Sequence, residues 1–179
     1  MYADVPFVRM HILLPMLAHC GWDLVLYLSV PELREPALIA HHVVTGALGY
    51  LALWPVAFGH YYDIFYAGVA ELSNVPLAFM ELCKLLPELQ SRHDRLSKAS
   101  RAMFSLSFAV LRLGYWPLLT LQFWRDVLDA IDAGRVHSLP IAYFYLGCNA
   151  LLTGMQILWG WKLLRGWLKA LQSRVSTAW

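Results

Sequence analysis

Long apolar runs constrain this chain more than any other feature of its sequence, among them LVLYLSV at 24–30 and ALGYLALWPVAF at 47–58. At membrane depth every backbone N–H and C=O must be hydrogen-bonded inside the protein, so a spanning chain is either helical or a closed barrel. Barrel strands alternate apolar and polar residues. These runs do not alternate, so the helical solution follows. Composition agrees, with 59% apolar and 15% charged residues, where a soluble domain carries about 25% charged. The expected fold is an all-α polytopic transmembrane helix bundle with about five membrane-spanning helices, one transmembrane domain over residues 1–179.

Proline and glycine punctuation places the helices at about 10–30, 37–58, 61–86, 102–125 and 139–164, followed by a tail at 165–179. Pro31 ends the first, Ser73-Asn74-Val75-Pro76 should break the third, and Pro117 lies inside the fourth. Each is long enough to span with some tilt. Basic residues give the orientation. Arg34, then Arg92, Arg95, Lys98 and Arg101, then Lys162, Arg165, Lys169 and Arg174 fall in three segments that five spans put on one side. That side should be cytoplasmic, with the N-terminus opposite. No cleavable signal peptide is expected, because no small-residue cleavage site follows the first apolar run.

A net charge of +2 gives no reason to expect a nucleic-acid partner. Cys20, Cys83 and Cys148 lie in apolar stretches and read as buried free thiols. His11 and His60 match in depth as haem ligands would, but no C-x-x-C-H occurs and no cofactor is expected. No spaced metal-ligand motif is present, and no metal is expected. Trp54, Tyr61, Tyr62, Trp116, Trp124, Trp161 and Trp167 read as interfacial and lipid-facing anchors.

Polar residues inside the spans are the candidate site, because each is costly in hydrocarbon. His19, Glu71, Arg112 and Asn149 fall near mid-helix, with Asn74 and Gln156 on the same helices as Glu71 and Asn149. Asp23, His41 and His42 fall nearer the cytoplasmic end. Arg112 cannot lose its proton and must find an anion or a wet cavity, Glu71 being the depth-matched carboxylate and Asp23 the second choice. His19 and Asp23 are four residues apart and share a helix face. His41 and His42 are adjacent, so their side chains should diverge by about 100° and not both face one site. A kink at Glu71–Pro76 should turn the third helix onto a cavity shared with His42, Arg112 and Asn149.

Five segments in order resemble the TLC domain, the family of TRAM, Lag and CLN membrane proteins. They are Gly21-Trp22-Asp23-Leu24, His41-His42-Val43-Val44-Thr45, Glu71-Leu72-Ser73-Asn74-Val75-Pro76, Phe108 through Arg112, and Asn149 through Trp159. Together they cover nearly the whole chain. Family members usually carry one or two more helices ahead of the first segment, so the resemblance implies a short or N-terminally truncated member. In the ceramide-synthase branch the His-His pair is followed by His-Asp and a further Asp. Here Gly68-Val69-Ala70-Glu71 stands in that neighbourhood, which is closer to the non-synthase branch with its Glu-Leu-Ser. The resemblance implies a lipid-homeostasis protein of the endoplasmic reticulum, with membrane lipids and other membrane proteins as partners. His19, Glu71, Asn74, Arg112, Asn149 and Gln156 would then line a lipid-binding cavity. The alternative is an acyl-CoA-dependent N-acyltransferase in which His41 or His42 acts on the amine or carries the acyl group, with Asp23 or Glu71 orienting the imidazole. A third reading is a structural subunit of a larger membrane complex.

Overall fold

A computed structural model describes residues 2–54 and 57–176, with the side chains of 170, 171 and 173–176 outside the description. The described residues are helical almost throughout, at 89% helix with no strand, so the bundle is all-α. Among the described residues four helices are long and apolar enough to cross a membrane: α1 (Pro6–Ser29), α2 (Pro36–Leu53), α5 (Asp94–Asp132) and the Leu139–Lys169 part of α6 (Leu139–Ser176). Between them, α3 (60–85) also runs from one end of the bundle to the other, and α4 (Pro87–Arg92) is a short connector. The chain thus passes five times between the two ends, and the third pass is irregular, as expected, though not at the expected position.

Proline decides most of the boundaries. Val30 is extended (φ −108°, ψ 104°) ahead of Pro31, and α1 stops there. Pro36 and Pro87 start α2 and α4 at positions whose N–H would have no helical partner. Gly59 (φ +73°) turns the chain into α3, and Gly134 (φ +64°) ends α5 with Gly134 and Arg135 donating back to Ile131 and Ala130.

Inside the long helices, proline is accommodated by π turns. One covers Arg9–Leu13, ahead of Pro15, and another Phe108–Tyr115, ahead of Pro117. Widening the helix there relieves the clash between a proline ring and the carbonyl one turn earlier. In α3 the irregular stretch is a π turn at Ile64–Gly68 followed by a 3-10 stretch at Val69–Ser73. It lies upstream of the expected break at Ser73–Pro76. Regular α geometry resumes over Asn74–Leu85, and Pro76 occupies its first turn, where a missing N–H costs little.

Several expected boundaries shift, α1 beginning at Pro6 and not 10 and α5 ending at Asp132 and not 125 among them. Helix α2 ends at Leu53 and not 58, α5 begins at Asp94 and not 102, and α6 continues into the expected tail. Hydropathy reports only the apolar part of a helix, whereas Lys, Arg, Leu and Ala sustain it further into water.

One end of the bundle gathers the N-terminus, the start of α3 and the α5–α6 connection. The His137 N–H donates to Tyr2 Oη at 2.9 Å, and Tyr62 Oη donates to Asp126 Oδ2. His60, almost fully buried, accepts the Val5 N–H at Nδ1 (3.0 Å), leaving Nε2 to donate to the Ala52 carbonyl (3.0 Å). Both its nitrogens are occupied, while His11 is exposed beside Phe7, so the two are not a ligand pair. At the other end Lys162 Nζ meets Glu35 Oε1 at 3.2 Å, tying α6 to the α1–α2 connection.

The aromatic residues divide. Trp54, Tyr61, Trp161 and Trp167 are exposed, as lipid and interface anchors should be. Tyr62 and Trp116 are instead buried, and the Trp124 indole donates to Asn149 inside the bundle. A buried Trp or Tyr that finds a polar partner packs well in a core, and Trp116 has Thr153 Oγ1 at 2.9 Å. The three cysteines are buried and free.

Candidate functional site

A cavity of about 590 Å³ opens among α1, α2, α3, α5 and α6 at the Lys162–Glu35 end. Its walls are apolar, with Leu26, Leu77, Leu82, Phe104 and Phe108 among them. Its polar lining comprises His19, Asp23, His41, His42, Asn74 and Arg112, with Lys84, Glu81, Glu35 and Lys162 completing it.

Asp23 is the centre of the first polar group. The i,i+4 spacing on α1 brings His19 Nε2 to 3.5 Å from Asp23 Oδ2, and α2 brings His42 Nε2 to 3.3 Å from the same oxygen. His42 is buried and packs its ring against Tyr27 and His19. His41 and His42 both line the cavity, with ring centroids 5.2 Å apart and nearly perpendicular planes. The expected divergence of adjacent positions is overcome because the cavity is broad and wraps the start of α2. Asp23, and not Glu71, is the carboxylate beside the imidazoles.

Arg112 organises the second group. It is 3% exposed, and its π-turn position on α5 aims the guanidinium at the broken stretch of α3. Nε donates to Ser73 Oγ at 2.9 Å, and Nη2 reaches Glu71 Oε1 (3.2 Å), Asn74 Oδ1 (3.1 Å) and the Ala70 carbonyl (3.2 Å). Nη1 faces Gln156 Oε1 at 3.4 Å, and Asn74 Nδ2 donates to Glu71 Oε2. The Ala70 carbonyl, in the 3-10 stretch, also accepts from Ser73 Oγ. The broken helix and the buried cation therefore satisfy each other, which is how irregular backbone persists at membrane depth. Of the two carboxylates open to Arg112 from its depth, Glu71 is its partner.

The remaining candidates separate from this cavity. Glu71 and Asn149 line a second, smaller cavity, so the expected convergence of Glu71, His42, Arg112 and Asn149 on one space is incomplete. The π turn at Ile64–Gly68 rotates Glu71 away from the His42 side. Gln156 is buried against Arg112. Among the described residues no group of three His, Cys, Asp or Glu side chains is arranged to hold a metal ion. Asp63 and Tyr66 carry no expectation from the sequence, Ser73 is expected only as part of the break in α3, and Thr45 has no role of its own. Asp63 and Thr45 were visible as polar residues in apolar runs, but nothing local marked them as facing inward.

The family model of the TLC domain matches residues 6–165. No curated protein and no solved structure matches the chain. With a match over most of its length and four membrane-competent helices, the chain belongs to the TLC-domain family and is an integral, multi-pass membrane protein.

Proposed function

We propose that this chain is a lipid-homeostasis protein that binds a membrane amphiphile in the 590 Å³ cavity. The observation that carries this reading is the cavity's mixed lining, apolar over most of its wall with a few polar groups. Its volume lies in the usual range for ligand pockets, about 300–1,000 Å³. Leu26, Leu77, Leu82 and Phe108 offer an apolar wall to an acyl chain, and His41, His42, Asp23 and Arg112 offer polar groups to a headgroup or carbonyl. Native mass spectrometry of protein extracted in mild detergent tests it. The expected result is a stoichiometric lipid adduct, depleted in His42→Ala. Adduct-free wild type under conditions that keep the bundle folded would refute it.

Acyl transfer from acyl-CoA to an amine is a second reading, supported by the 3.3 Å approach of His42 Nε2 to Asp23 Oδ2. In that chemistry the amine nitrogen attacks the thioester carbonyl while His42 accepts its proton. The C–N bond forms, the C–S bond breaks, and the proton passes to the departing thiolate. Asp23 stabilises the imidazolium. In this reading Asp23→Asn lowers turnover by about 10²–10⁴-fold, a larger loss than its effect on lipid content.

In this reading the cavity mouth faces the cytoplasm, because Lys84, Lys162 and the basic α4–α5 segment share that end, and the endoplasmic reticulum membrane is proposed from the family resemblance alone. Tags inserted after Arg92 and at the C-terminus are expected to be cleaved together by protease in sealed vesicles. Cleavage of one with protection of the other would overturn the orientation.

A further inference from the structure

The second cavity is small, about 60 Å³, and lies deeper in the bundle. One water needs roughly 10–15 Å³ on this measure, so a short file of waters fits. Three of its lining residues, Asp63, Thr45 and His41, carry buried polar atoms without a partner among the described residues: Oδ2, Oγ1 and Nδ1 respectively. Three such atoms around one enclosure call for an occupant, because buried polar groups in folded proteins are almost always hydrogen-bonded. An apolar void would stay dry, whereas this one offers water the several polar partners it needs.

The placement of these three groups is directional. Asp63 lies in the first turn of α3, at the end of the bundle that holds Gly59 and the N-terminus. His41 lies in the second turn of α2, toward the opposite end, and its ring lines both cavities. Thr45 is one helical turn from His41 on the same face of α2. The small cavity therefore has Asp63 on its lining toward one end and Thr45 and His41 toward the other, and His41 also lines the open cavity. Leu13, Leu48, Phe123 and Leu152 line the small cavity and keep it narrow. The other titratable groups on the small cavity are Tyr62, Tyr66, Tyr145 and Glu71. Tyr62 donates to Asp126, Tyr145 donates to the Leu48 carbonyl, Tyr66 is bonded to Thr120, and Glu71 is held by Arg112. On its other side His41 is faced by His42 and the Trp159 ring.

We propose that the small cavity is a hydrated proton relay connecting Asp63 to His41, so that the large cavity exchanges protons with the opposite face of the membrane. Asp63 Oδ2 takes up a proton at the α3 end. Water and the Thr45 hydroxyl each accept one proton and release another. His41 receives a proton at Nδ1 and releases one from Nε2 into the large cavity. Each transfer breaks one O–H or N–H bond and makes another, with no net redox change. The relay does not depend on which ligand the large cavity holds.

The test uses purified full-length protein in phosphatidylcholine liposomes that enclose a pH-sensitive dye. A valinomycin-clamped potassium gradient supplies the driving force. Wild type is expected to raise the proton flux above that of protein-free liposomes. Thr45→Val keeps the side chain's shape and removes the hydroxyl, and it should abolish most of the protein-dependent flux. Asp63→Asn should do the same. Monodispersity and an unchanged melting temperature establish that each variant is folded, and Thr45→Val decides the matter if Asp63→Asn does not fold. Wild-type flux no faster than protein-free liposomes, or folded Thr45→Val as fast as wild type, overturns the relay.

Discussion

Arg112→Ala is expected to destabilise the bundle by about 3–5 kcal/mol, the usual cost of removing one partner from a buried ion pair. The guanidinium is 3% exposed and serves five acceptors from α3 and α6. Its loss leaves Glu71, itself only 22% exposed, without its cation. It also takes away one of the side-chain donors to the Ala70 carbonyl, in the stretch where α3 departs from α geometry. The destabilisation is therefore mostly that of uncompensated buried groups, and not of a lost attraction. Arg112→Met combined with Glu71→Leu should recover much of it, because an apolar pair of similar volume carries no desolvation cost. Thermal unfolding in detergent, followed by tryptophan fluorescence, checks both. An Arg112→Ala protein that melts with wild type would mean that the network contributes little.

Ala78→Trp is expected to lower co-purified lipid about tenfold, equivalent to 1.4 kcal/mol of binding free energy. Ala78 lines the large cavity on α3 and is exposed to it. An indole there takes up space in the same cavity as Leu77 and Leu82. The control is Leu121→Trp, at a position 71% exposed on the outside of α5. Leu53, which sequence position alone would offer as a lipid-facing control, is 5% exposed in a core cluster with Met16 and Ala52. Equal lipid content in the Ala78→Trp and Leu121→Trp proteins would show that the amphiphile sits elsewhere.

Much of this molecule is legible without coordinates. Unbroken apolar runs require helices in lipid, since no other open structure bonds its own backbone. Pro31, Pro36 and Pro87 mark boundaries because their constraint is local to one or two residues. The pairing of His19 with Asp23 follows from i,i+4 geometry on a stretch of regular helix. The cost of an unpaired guanidinium called for an acid near Arg112, and Glu71 is at 3.2 Å.

Which residues share a cavity was decided only by the tertiary structure. Distance along a helix gives depth, but rotation about the axis must also be known, and π turns alter it. Each one adds a residue to a turn and so moves every later side chain by up to about 100°. Such turns precede Pro15 in α1 and Pro117 in α5, and one at Ile64–Gly68 precedes Glu71 in α3. Glu71 consequently faces Arg112 and the small cavity, while Asp23 is the carboxylate that meets His42. The inward placement of Asp63 and Thr45 has a different origin, since Asp63 precedes the π turn of α3 and α2 contains none. Their residue types are ordinary, and only the packing of α2, α3 and α6 encloses them together. Apolar stretches and prolines act over a few residues and can be read in order. A site assembled from five helices depends on their relative rotations, which no single stretch of sequence contains.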